Sequence, residues 1–440
     1  MTNADALAGY SPRRTALDRF LSVFSSVQAG EGTGAILLAL NVFILLGTYY
    51  ILKTVREPLI LNQAGGAEVK SYSAAGQAAL FLLIVPLYGA FASRVNRLWL
   101  IGGVTAFFIS NLAIFFALGT AGVGIGVPYF LWVGIFNMMV VAQFWAFAND
   151  IYSEEQGKRL FPIVGVGASL GAWVGSLSTK YMLEYLGPYQ LMLVAAGLLT
   201  LCILLTWTVH RREAGRATAE RTKQAEQPLD RKGGFQLVLR HRYLRLIALL
   251  VLLLNAVNSV GEYLLGRFVI ASAQVLPAAE RGKFIGQFYA DYFSWVNLLG
   301  FLIQTFLVAR LFKWIGVRGA LFVLPLIAFS GYGILATIPI LAIVRVAKIL
   351  ENATDYSLNN TVRHALFLPT TREEKYKGKA ATDTFFVRLG DMLQAGIVLA
   401  GTQLSLSISN MAVANMVMVG VWLLVAVAIY REHKRLTTEA

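Results

Sequence analysis

Two stretches carry ionisable side chains where a lipid-facing helix has none. In "IVRVAKILENATDYSLNNTVRHALF", Arg345, Lys348, Asn352, Asp355 and Asn359 advance by three, four, three and four residues, so they share one helix face, and Glu351 lies one turn from Lys348. In "AILLALNVFILLGTYYILKTVREPLIL", Tyr49, Lys53 and Arg56 fall at i, i+4 and i+7, and Glu57 is placed to pair with Lys53. Further polar residues stand in other apolar runs: Asn255, Asn258 and Glu262; Tyr289, Asp291 and Asn297; Asp383, Arg388, Asp391 and Gln394. Ionisable groups at membrane depth are costly unless they face a protein-lined aqueous path, so the pattern points to passage of an ionic solute. Two structural alternatives stay open. Lys53, about 27 Å along its run at 1.5 Å per residue, could snorkel to the far interface, and the other pairs could simply lock helices together.

The elements that must hold these residues are membrane helices. The chain has 440 residues, 57% hydrophobic and 14% charged, too apolar for the surface of a soluble protein of this length. Runs long enough to cross a hydrocarbon core occupy 35–61, 73–92, 98–118, 127–148, 160–181 and 188–209, then 243–266, 284–309, 318–337, 340–366, 380–402 and 409–430. The expected fold is an all-α membrane protein of twelve transmembrane helices in two pseudo-symmetric six-helix halves. The divisions are 1–34, an N-terminal segment with an interfacial helix; 35–210; a polar linker at 211–242; 243–430; and a tail at 431–440. No signal-peptide core is read near the N-terminus.

The net charge of +14 resides in the connections and does not indicate nucleic acid. Arg94 and Arg97, Lys158 and Arg159, the basic linker, Arg310 to Arg318, Arg372 to Lys379 and Arg431 to Arg435 fall on one side. The positive-inside rule then places both termini and the linker in the cytoplasm, as expected of a multi-pass inner-membrane protein. "SEEQGKRLFPIVGVGASLG" and "REEKYKGKAATDTFFVRLG" share one Glu-Glu to Gly spacing, from Glu154-Glu155 to Gly171 and from Glu373-Glu374 to Gly390. Such a repeat matches the two-half plan of secondary transporters.

"GVGASLGAWVG" lacks the spacing of a phosphate loop. Gly167, Gly171 and Gly175 recur every fourth residue, which suits close helix packing. Cys202 stands alone and His210, His241, His364 and His433 are scattered, so neither a disulfide nor a metal site is expected, nor a cofactor. Most aromatics, among them Tyr49, Tyr50, Phe144, Trp145, Tyr292 and Tyr356, read as packing residues.

Three stretches resemble the ATP/ADP translocase family of intracellular bacteria and plastids, itself similar in plan to the major facilitator superfamily. They are "YYILKTVREPLIL", "FWAFANDIYSEEQGKRLFPIVGVGASLG" and "ENATDYSLNNTVRHALFLPTTREEKYKGKAATDTFFVRLG". The resemblance implies an alternating-access carrier, not an enzyme, that moves nucleotides such as ATP and ADP, or phosphate, and works as a monomer. By position, Arg56-Glu57 match the family's Lys-Asp pair, Lys53 a basic residue one turn earlier, Lys379 the lysine of a Gly-Lys-Ala-Ala stretch, and Glu262 a helix-seven acid. The substrate-binding set is then Lys53, Arg56, Glu57, Asn149, Glu262, Arg345, Lys348, Asn352, Asp355, Lys379 and Arg388. Asp150, Glu154, Glu155, Glu351, Asp383 and Asp391 are assigned to coupling or gating. The rival expectations are a proton-coupled carrier of another anion, using Glu262, Asp355 or Asp391, and a non-transporting receptor or scaffold.

Overall fold

The computed structural model describes residues 15–22, 25–92, 95, 97–213, 234–371, 374 and 378–438; residues 1–14 and most of the 211–242 linker lie outside them. A short helix, α1 (Ala16–Leu21), precedes six long ones: α2 (Gly32–Leu61), α3 (Gly66–Ala92), α4 (Arg97–Thr120), α5 (Gly126–Ile151), α6 (Glu154–Tyr185) and α7 (Pro188–Glu213). The second half repeats the order, with short α8 (Gly234–Arg240) before α9 (Arg242–Gln274), α10 (Ala278–Ala320), α11 (Val323–Thr337), α12 (Leu341–Thr354, continuing to Asn360–Leu366), α13 (Lys379–Gln403) and α14 (Ile408–Thr438). Nine helices among the described residues are long and apolar enough to cross a membrane by those criteria alone. α12 falls outside that group because it carries Arg345, Lys348, Glu351, Asp355 and Arg363.

Half of the long helices, α3, α6, α7, α9, α10 and α14, overrun the apolar runs by a turn or more, because backbone pairing within a helix continues past the hydrocarbon into polar residues, whereas α11 starts at Val323, inside the run read from 318. α3 is the instructive case: it starts at Gly66, not near 73, and so brings Glu68, Lys70 and Ser71 onto a membrane helix. π turns interrupt α5 at Asn137–Val141, α10 at Ile303–Leu307, α12 at Asp355–Asn359 and α13 at Thr382–Phe386. Gly316 breaks α10 with φ 67°, a conformation that favours glycine.

The glycine spacing in α6 has the packing role expected of it. A Cβ on Gly167 would meet Ala39, one on Gly171 would lie 2.7 Å from the Phe43 Cα, and one on Gly175 would lie 2.8 Å from the Gly47 carbonyl carbon, all on α2. The repeat reappears in space. A Cβ on Gly390 of α13 would approach the Leu252 carbonyl oxygen of α9 at 2.8 Å, so α13 sits on α9 as α6 sits on α2. Each half has its own apolar core; the second extends to Tyr50, Ile60, Leu61, Ala67, Phe130 and Ala172 of the first.

α1 fastens the basic end of the first half. The buried Asp18 carboxylate accepts from the Gly30 N–H at 3.0 Å and the Gly32 N–H at 2.9 Å, which caps α2. These bonds, the Gly30 N–H foremost, push the Asp18 carboxyl down to about 2. Glu31 accepts from Arg159 of α6 at 2.7 and 2.9 Å. Burial works against the Glu31 charge, but the hydrogen bonds led by Arg159 outweigh it, and its carboxyl sits below the usual range.

Candidate functional site

A cavity of about 180 Å³ lies between the halves. Its first-half wall is cationic: Lys53 and Arg56 project from one face of α2 and Lys70 from α3. The fully buried Glu57 joins two of them, accepting from Arg56 Nη2 and from Lys70 Nζ, each at 2.6 Å. Glu57 therefore pairs with Arg56 and Lys70, not with Lys53 as spacing along one helix suggests; the neighbouring helix supplies the better partner. The Arg56 guanidinium lies 4.5 Å from the Phe130 ring centroid. Lys53 has no hydrogen bond or ion pair among the described residues. Its ammonium rests among the rings of Phe293 at 4.3 Å, Tyr50 at 5.1 Å and Tyr356 at 6.0 Å. Those three aromatics thus serve the cavity as well as the packing.

The second-half wall is anionic and amide-bearing. Glu262 Oε1 accepts from the Tyr292 hydroxyl and from Asn352 Nδ2, both at 2.9 Å. Asn258, Ser259, Asn352, Tyr356 and Gln394 complete this side. Lys348 stands behind the wall, fully buried, with Nζ 2.5 Å from Asn258 Oδ1, 3.1 Å from Glu351 Oε2 and 3.9 Å from Glu262 Oε1. Glu351 also accepts from the Tyr332 hydroxyl at 2.9 Å. An unpaired charge at that depth would be prohibitively costly, and here the pair and its hydrogen bonds hold Asn258 and Glu262 in place.

The other residues singled out by sequence are dispersed. Arg345 reaches Asp291, which also accepts from Lys180 at 2.6 Å. Asp355 accepts from Asn359 at 2.7 Å within the π turn that breaks the α12 stripe. Asp383, toward the basic end, pairs with Arg363 at 2.5 Å and Lys379 at 3.0 Å. Arg388 pairs with Asp391 at 3.2 Å and lies over the Phe81 ring, while Asp391 also accepts from Asn255 at 2.7 Å. Asn149 lines a separate cavity of about 590 Å³ with Ser153 and Lys158 at the α5–α6 junction. Asp150 and Glu155 are exposed nearby, and the Glu154 side chain lies outside the described residues. Sequence reasoning missed Lys70; its spacing of seven from the buried Gln77 was the available signal.

Among the described residues, the hydrogen bonds and ion pairs between the halves run from mid-membrane to the end opposite the basic loops. Arg267 and the Tyr263 hydroxyl both donate to Glu68 at 2.9 Å; Lys180 meets Asp291; Lys283 donates to the Glu184 carbonyl at 3.3 Å; and Gln394 donates to Ser71 at 2.9 Å. Asn297 donates to Ser176 at 3.2 Å near the middle. That far end is closed.

Known proteins agree in fold and family. Over 330 residues the chain is 24% identical to ADP,ATP carrier protein 1 of Chlamydia muridarum (strain MoPn / Nigg), covering 65% of this chain and 61% of that protein. It is 23% identical over 336 residues to ADP,ATP carrier protein 1, chloroplastic, of Arabidopsis thaliana, covering 69% of this chain and 53% of that one. The chain thus spans about three fifths or less of the length of these relatives. The nucleoside transporter NupG superposes with TM-score 0.63 at 12% identity, over 90% of this chain and 98% of that one. A POT family transporter crystallised with a thioalcohol conjugated peptide gives 0.65 at 13% identity, over 92% and 97%. The fold is major-facilitator-like. The family model described as TLC ATP/ADP transporter matches residues 129–433, more than half of the sequence, and the chain belongs to that family.

Proposed function

We propose that the protein is a secondary carrier that exchanges nucleotides of the ATP/ADP type across the cytoplasmic membrane by alternating access. One observation carries this reading: Lys53, Arg56 and Lys70 converge on one wall of the central cavity, with Glu262 on the wall facing them. Three cations at one wall suit a polyphosphate, since arginine offers a fork to phosphate oxygens and lysine a point charge. Glu57 stands in for phosphate when the site is empty and yields Arg56 and Lys70 when substrate arrives. The relatives' names, ADP,ATP carrier, support the choice of solute.

The halves at 35–210 and 243–430 are the units that rock, joined by the linker at 211–242, with both termini in the cytoplasm and one chain as the working unit. Because the far end is closed, the site loads from the basic, cytoplasmic end in this conformation. A cavity of about 180 Å³ is below the ~300–1,000 Å³ of sites that enclose a small ligand, so the halves part further to admit a whole nucleotide.

The test is uptake of labelled ADP into proteoliposomes that contain ATP, phosphate or buffer alone, with and without an imposed pH gradient. Internal ATP should accelerate uptake. Uptake driven by the pH gradient and indifferent to internal nucleotide would replace exchange with proton coupling, and silence in every arm would leave a receptor or scaffold.

A further inference from the structure

We propose that two rings of α10, Tyr289 and Phe293, hold the site's lysines while the carrier is empty, and so lock the halves together until substrate draws those lysines away. This rests on the nucleotide-carrier reading above and goes beyond it by assigning what keeps the empty carrier from reorienting. Tyr289 and Phe293 are then positioning residues for the exchange.

Gly286, Tyr289, Phe293 and Asn297 advance by three, four and four residues, so they share one face of α10, and that face lies on the first half. A Cβ on Gly286 would lie 3.6 Å from Pro58 Cγ of α2, and Asn297 donates to Ser176 of α6 at 3.2 Å. Between these two contacts the face presents aromatic rings. Lys70 Nζ of α3 lies 5.0 Å from the Tyr289 ring centroid, and Lys53 Nζ of α2 lies 4.3 Å from that of Phe293. Both side chains are buried. The Tyr289 hydroxyl has no hydrogen-bond partner among the described residues, so the ring is what this residue offers Lys70.

A cation beside an aromatic face is attracted by the ring quadrupole, more strongly where water is excluded. The other cross-half contacts, those of Glu68 with Arg267 and Tyr263, of Lys180 with Asp291, of Lys283 with Glu184 and of Gln394 with Ser71, use none of the three cavity cations. Tyr289 and Phe293 differ in holding the same ammonium groups that a polyphosphate attracts. An ammonium drawn to a phosphate oxygen in the cavity leaves its ring. Occupancy therefore removes two cross-half contacts and eases parting of the halves at the far end, whereas the empty carrier keeps both. A ligand shifts a conformational equilibrium only through such a difference between its loaded and empty states.

The test joins isothermal titration of the purified full-length protein with ATP to uptake of labelled ADP into proteoliposomes that hold ATP or buffer alone. Phe293→Leu removes a ring contact that binding otherwise has to break, so it should bind ATP ~5-fold more tightly than the parent. In the same variant the acceleration of uptake by internal ATP should fall ~5-fold, because the empty carrier reorients more freely. Phe293→Tyr keeps a ring and should stay within ~2-fold of the parent in both measurements. Thermal unfolding checks that each variant is folded; if Phe293→Leu is not, Phe293→Met or Tyr289→Leu, each lacking one ring, takes its place with the same expected shifts. A folded ringless variant that binds ATP no more tightly than the parent, or whose uptake responds to internal ATP as the parent's does, overturns the locking role while the carrier reading stands. A parent protein that neither binds ATP nor exchanges overturns both.

Discussion

Lys53 offers the sharpest test of the cationic wall, because its charge is not committed to any carboxylate. Arg56 and Lys70 must each release Glu57, 2.6 Å away, before they can hold phosphate. Lys53 gives up only its contacts with three rings, at 4.3 to 6.0 Å. A unit charge about 4 Å from a phosphate oxygen contributes about 4 kcal/mol at an effective dielectric near 20. Loss of the ring contacts offsets about 1–2 kcal/mol of that. Lys53→Gln should therefore weaken ATP binding by about 2–3 kcal/mol, or ~30–150-fold in Kd. Lys70→Gln should weaken it less, because its gain is set against the broken pair with Glu57. Titration calorimetry with ATP and with inorganic triphosphate measures both variants, and thermal unfolding checks that each is folded. Binding by Lys53→Gln within ~2-fold of the parent, or a larger loss in Lys70→Gln, would refute this assignment of roles.

Three further outcomes are expected. Tags inserted in the 214–233 segment and after Ala440 should be accessible only from the cytoplasm; access to either from outside intact cells would reverse the topology. Asp18→Asn should lower the unfolding temperature near neutral pH by about 2 °C, the scale of one lost helix cap. The Asp18 carboxyl is depressed to about 2, so its contribution is complete above the ordinary value near 3.9 and is lost as pH falls toward 2; the gap between parent and variant should close over that window. Asp291→Asn, which deprives Lys180 and Arg345 of a shared partner, should favour opening of the far end by ~5-fold, the equivalent of about 1 kcal/mol for a partly exposed pair, read as faster labelling of Ala74→Cys from that side.

Much of this architecture was legible because membrane helices state their period openly. The spacing of Gly167, Gly171 and Gly175 announced a close approach, and α2 fills it. The charged faces of α2 and α12 were equally plain. What the period does not convey is which neighbour a face meets. Lys348 and Asn352 belong to one stripe, yet Asn352 lines the cavity and Lys348 is sealed behind it, because α9 and α11 enclose that side with Asn258 and Tyr332. The π turn at Asp355–Asn359 shifts the register beyond Asn352, so Asp355 bonds to Asn359 and is not part of the cavity wall. Lys70 escaped notice because α3 begins well before its apolar run, and the polar first turns looked like a loop.

The central claim, that nucleotide occupies the cavity between Lys53 and Glu262, is tested most directly by substrate protection of a cysteine at Ala74. Ala74 lines this cavity, and Cys202, the single native cysteine, is buried in the first half and can be changed to serine for the purpose. Ala74→Cys in Cys202→Ser should react with an impermeant thiol reagent applied from the basic end, and saturating ATP should slow that reaction at least ~10-fold, as occupancy excludes the reagent. Equal labelling rates with and without saturating ATP, in protein that still exchanges nucleotide in proteoliposomes, would place the substrate elsewhere and contradict the account.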